Sequence, residues 1–191
     1  MLSETDVSML REMGLRVRPR GSVISLEAIT QFALACLAQP STHNVIAALR
    51  QVPFVEEVFY QNLAGQDKNF PPFDEAFWFM FHCHYGSAGP LEFLLRGGKL
   101  LQTGYCLAFS KRLLSDPSKK AYEKVMRLVV QRYGKGEAMP YPGGAGRLFN
   151  DSVSHCYVAR TTLAPNNAVV LRVGDRAMWD AFTGNKLGEI V

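Results

Sequence analysis

The chain lacks any apolar run near the ~18 residues that a membrane-spanning helix needs. Its N-terminus carries Glu4 and Asp6 where a secretory signal would be basic. These absences predict no membrane span and no classical export signal. The expected location is the cytoplasm, or a host cell reached by secretion without a signal peptide. Cysteine is scarce too: Cys36, Cys83, Cys106 and Cys156 show neither paired metal-ligand spacing nor a disulfide framework. That suits a reducing compartment and predicts no metal centre. Charged residues make up only 20% of the chain and the net charge is +4, which gives no electrostatic case for a nucleic-acid partner. Lys119, Lys120, Lys124, Arg127 and Arg132 gather on one expected helix without interleaved aromatics, and they read as a solvated face. No internal repeat is visible.

What the chain does have is apolar content, 48% of 191 residues, enough to bury the core of a single domain over 1–191. Caps, prolines and apolar residues at helical spacing predict helices over 3–13, 25–37, 41–50 and 54–63. Residues 73–85 are unusually aromatic. Residues 90–96 end at Gly97 and Gly98, a helix-stop signal. A further helix is expected over 118–133, after Asp116 and Pro117. The stretch 134–150 is rich in glycine and proline and reads as a mobile loop near a site. From Val153 onward, short β-prone runs alternate with turn residues. The expected fold class is α+β, with a helical N-terminal two thirds packed on a C-terminal antiparallel sheet. On this reading 1–100 is the helical part and 101–191 the candidate catalytic part.

The run from Thr103 to Ser110, TGYCLAFS, is read as the first turns of a helix, with Thr103 as its cap. Cys106 would then meet unpaired backbone N–H groups and the positive end of the helix dipole, both of which favour thiolate. A base and an orienting acid are available downstream. His155 stands in the β-prone run SHCYVA, and Asp180 in MWDAF, read as a strand ending at a Thr183-Gly184-Asn185 turn. Asp175, in a Gly-Asp turn, competes with Asp180 for the third place. Such a set would let imidazole take the thiol proton and return it to a leaving amine, with the carboxylate fixing the ring tautomer.

The order Cys106, His155, Asp180, with GYCLAFS around the cysteine, resembles the papain-like cysteine hydrolases. Within them it is similar to protease effectors that bacteria inject into host cells and to glutamine deamidases of the same fold. The Gly104-Tyr105-Cys106 triplet is also similar to self-cleaving leader proteases of plant and fungal RNA viruses. The resemblance implies a papain-like fold, a Cys-His-Asp triad and a protein substrate that is either cleaved or deamidated at glutamine. It also implies Gln102 as a candidate oxyanion donor, and it calls for no cofactor.

Two other classes remain open. The run His82-Cys83-His84-Tyr85-Gly86-Ser87 resembles the start of the nicotinamide site in diphtheria-toxin-like ADP-ribosyltransferases. That likeness implies NAD as cofactor, with His84 on the ribose, Tyr105 stacked on nicotinamide and Glu189 as catalytic acid. The third class is a non-catalytic binding module, which needs no special environment for Cys106.

Overall fold

Ser25 and Asp116 each turn a side-chain oxygen onto a backbone N–H three residues on, that of Ala28 and of Lys119. They thereby start the two helices that cover the fold's sheet, α2 (Leu26–Cys36) and α4 (Pro117–Tyr133). Pro117 supplies a preset φ at the first turn of α4, and Gly134, at φ +76°, ends it by donating its N–H to the Val130 carbonyl. Two shorter helices, α1 (Glu4–Glu12) and α3 (Thr42–Arg50), pack together at the N-terminal end. The computed structural model describes residues 4–16, 22–38, 41–53, 55–64, 73–84, 87–109, 116–141, 144–162 and 167–180. Among them, no helix is long and apolar enough to cross a membrane.

Eight strands form one antiparallel sheet: β1 (Glu56–Asn62), β2 (Glu75–Cys83), β3 (Ser87–Arg96), β4 (Lys99–Phe109), β5 (Glu137–Tyr141), β6 (Gly144–Asn150), β7 (Ser154–Thr161) and β8 (Asn167–Asp175). Their spatial order is β1-β2-β3-β4-β8-β7-β6-β5. The topology repeats although the sequence shows no repeat. Each half is a four-stranded meander preceded by a helix, and the halves join through their last strands, β4 and β8, with α2 against α4 above.

This architecture overturns the expected fold class. The sheet begins at residue 56 and runs through both halves of the chain, so there is neither a helical N-terminal two thirds nor a papain-like division. The segments read as helices around 54–63 and 90–96 lie in β1 and β3, and aromatic 73–85 falls largely in β2. The segment around Cys106 is in β4. The expected loop over 134–150 holds the β5–β6 hairpin, and the expected strand around Asp180 is a helical turn over 176–180.

The cause is visible in β2 and β4. Phe77, Phe79, Phe81 and Cys83 enter the core beneath the helices, while Ala76, Trp78, Met80 and His82 take the other face. With apolar residues on both faces, the polar alternation that marks a half-buried strand disappears. In β4, Tyr105, Leu107 and Phe109 face the core, and the small residues Gly104, Cys106 and Ala108 alternate with them.

Candidate functional site

Because the helices cover one face of the sheet, the other face gathers side chains from distant segments. Antiparallel register aligns Phe59, Trp78, Glu92, Gly104, Arg172, Tyr157 and Leu148 in one row across it. The next row runs through Met80 and Pro90, then Cys106, Val170, Ala159, Gly146 and Met139. Phe59, Cys106, Arg172 and Met139 are exposed; Trp78, Met80, Glu92 and Tyr157 are half-buried. Gly104 is required here, because a Cβ at that position would stand 2.1 Å from the Leu171 carbonyl oxygen. β8 thus approaches β4 closely here, and Glu92 and Arg172 stand on either side of a residue with no side chain.

Cys106 and His155 both belong to this face, yet the structure does not bring them together. Cys106 pairs with Val170, and Val170 with Ala159 on β7, four residues along from His155. Two strand spacings and four residues of rise separate their Cα atoms by about 16 Å, beyond the reach of the two side chains. His155 also turns away from β4, since its Nδ1 meets Asn150 Oδ1 on β6, the strand on the far side. Desolvation pushes the Cys106 thiol above its ordinary pKa, Arg172 opposes that shift, and Glu92 adds to it. No helix N-terminus stands behind Cys106, because the residue lies on a strand.

His155 and Asp180 do meet. His155 Nε2 lies 3.2 Å from Asp180 Oδ1, and Arg176 Nε donates to Asp180 Oδ2 at 3.4 Å. Trp179 crosses the His155 ring edge to face at 6.3 Å and occupies the space above Gly174, where a Cβ would lie 2.1 Å from the indole nitrogen. The turn over 176–180 is thus seated on the sheet by a tryptophan over a glycine. Asp175 serves that turn, with Oδ1 accepting from Met178 N at 3.0 Å and Oδ2 from Lys99 Nζ at 2.9 Å. Burial works against ionisation of Asp175, but these bonds outweigh it and its pKa falls below the usual carboxylate value. Gln102 is buried, its Nε2 donating to Glu92 Oε1 at 3.1 Å, and it stands four residues along β4 from Cys106. It offers no oxyanion contact at the thiol.

The residues of the NAD-dependent alternative are likewise dispersed. Tyr105 is in the core, its hydroxyl 2.7 Å from Thr30 Oγ1 and its ring edge-on to Phe81, so it has no face to stack on nicotinamide. His84 is exposed at the end of β2, and Glu189 lies outside the described residues. Among the described residues, no cluster of His, Cys, Asp and Glu is arranged to hold a metal ion. No family model matches the chain, and neither a curated protein nor a solved structure matches it.

Sequence reasoning passed over Trp78, Glu92, Tyr157 and Arg172, the residues that mark the uncovered face. Two of them carried a signal. Glu92 is the one acid in the β3 run PLEFLL, and Arg172 the one charge in the β8 run AVVLRV. A single charge inside an apolar strand identifies the position at which that strand looks outward.

Proposed function

We propose that the chain is a protein-binding module that uses the uncovered face of its sheet. The observation that carries this reading is the arrangement on that face: Cys106 stands out of reach of His155, next to Val170 and Arg172 rather than beside a base, and the rest of the face holds aromatic and methionine side chains. Trp78, Tyr157, Phe59, Met80 and Met139 are of the types enriched where proteins meet, and Arg172 adds the favoured cation. The two central rows hold no lysine, which such contacts disfavour, whereas α4 on the opposite side exposes Lys119 and Lys120. A hydrolase would need an imidazole at the sulfur, and a raised thiol pKa leaves little thiolate at neutral pH.

Alkylation tests the reading directly. With iodoacetamide at mildly acidic pH, Cys106 should react slowly, at the rate of an ordinary exposed thiol or below, and buried Cys36, Cys83 and Cys156 should not react without denaturant. Labelling of Cys106 many times faster than a free cysteine peptide at that pH would restore the nucleophile and overturn the module. In a paired capture experiment, Trp78→Ala should lose a bound protein that Lys120→Ala keeps. A protein held equally by both variants would place binding elsewhere.

A further inference from the structure

We propose that Arg172 is the anchor of this face and takes a carboxylate from an acidic segment of the partner protein; the proposal rests on the binding-module reading and names the chemistry of the occupant. Arg172 is exposed near the middle of the sheet on β8, and among the described residues it makes no hydrogen bond or ion pair, which leaves its guanidinium donors for a group from outside. The obvious internal partner is withdrawn. Glu92, two strands away in the same row, has Oε2 accepting from Trp78 Nε1 at 3.1 Å on β2, the side away from Arg172, and Oε1 accepting from Gln102 Nε2 at 3.1 Å on β4, so both of its oxygens are engaged. Gly104 between them contributes no side chain, and the space a Cβ would take there is filled by the Leu171 carbonyl, so no side chain of β4 bridges the two charges.

The floor around Arg172 is apolar and small, with Val170, Cys106 and Ala159 in the next row, and Tyr157 stands beside it on β7. A guanidinium forks two parallel N–H donors, a geometry that fits a carboxylate, and the apolar floor with a flanking ring lowers the water content around such a pair. A basic or neutral segment would leave the guanidinium covered and unpaired, which is costly. Charge complementarity therefore selects an acidic segment.

Cys106 provides the means of testing this. It is exposed, and it lies diagonally across the β4–β8 pairing from Arg172 at about 8 Å between Cα atoms. Two short blocked peptides, each with one cysteine and differing only in a glutamate or a lysine two residues away, would be offered together as mixed disulfides with 2-mercaptoethanol. Exchange onto Cys106 would be followed by intact mass at low salt. The glutamate adduct should exceed the lysine adduct severalfold, the preference should shrink as salt rises, and Arg172→Gln should abolish the preference while slowing exchange with both peptides alike, because the thiol loses the guanidinium that favours its ionised form. Equal adducts, or a preference that persists in Arg172→Gln, would overturn the anchor. The module reading would survive that failure, since it is tested by the alkylation rate. Sedimentation of the unmodified protein covers the remaining occupant: a dimer that forms with concentration and is lost in Arg172→Gln would assign the face to a second copy and overturn the proposal of a separate partner.

Discussion

The two faces of the sheet are built from the same strands, residue by residue, and differ in what each can tolerate. On the covered face, Phe79, Phe93, Tyr105, Leu107, Phe109, Val158 and Leu171 are each at most 2% exposed and interlock with α2 and α4. On the other, Cys106, Ala108 and Arg172 alternate with those same residues and look outward. Interior packing at crystal-like density leaves no slack for a change in volume on the first face. On the second face Cys106, Ala108 and Arg172 are exposed, so a change of volume at those positions meets solvent rather than packed side chains. The comparison teaches that the chemistry of this protein is to be sought by parity within strands rather than by motifs along the chain.

Substitutions on each face sharpen or break that contrast. The largest effect is expected for Phe93→Ala, which removes a fully buried ring standing edge-on to Phe79 at 5.9 Å. It should cost about 3–5 kcal/mol in urea unfolding. Next comes Gly104→Ala, whose Cβ would press on the Leu171 carbonyl where the two meanders join; a loss of about 1–3 kcal/mol follows from overpacking. If it were neutral, the seam would be looser than described.

A smaller effect concerns the polar link at the start of α4. Asp116 accepts from Ser118 at 2.5 Å and from Lys119 N, and pairs with Arg160 on the covered side of β7. Led by the Ser118 bond and opposed by burial, these contacts hold its carboxyl below the usual 3.8. Since the folded value is depressed, the stabilisation is present above the unfolded value and disappears as pH falls through the folded one. Thermal unfolding followed downward from about pH 5 should show that Asp116→Asn loses less stability on acidification than the parent does. The smallest effect is expected for Cys106→Ala on the open face, within about 0.5 kcal/mol of the parent by the same urea titration. A loss of several kcal/mol would make Cys106 part of the core and erase the distinction between the faces.

What could be read in the sequence followed from how each element announces itself. The helices carry local signals, such as Ser25 before α2 or Asp116-Pro117 before α4, and those signals stand at the helix starts. The strands of the first half carry none, because Ala76, Trp78 and Met80 are as apolar as the phenylalanines between them and Pro90 imitates a helix start inside β3. The site suffered accordingly. His155 lies on β7 and Asp180 in the turn that follows β8, the strand hairpinned to β7, so their contact at 3.2 Å follows from one local pairing. The distance from Cys106 to His155 depends instead on β8 being inserted between β4 and β7, a long-range pairing that no local pattern encodes.

The seam between β4 and β8 also bears on when this surface comes into being. Glu92 and Gly104 are laid down before α4, whereas Tyr157 and Arg172 come after it, and β8 is the last of the described strands in chain order. Until β8 inserts between β4 and β7, both of those strands present bare edges. While only the first meander has been synthesised, the row that holds Arg172 does not yet exist. A nascent or truncated chain ending before residue 167 would contain every member of that row except Arg172, but without β8 to align them. The row across the open face is thus completed in one late step, when β8 seals the two halves.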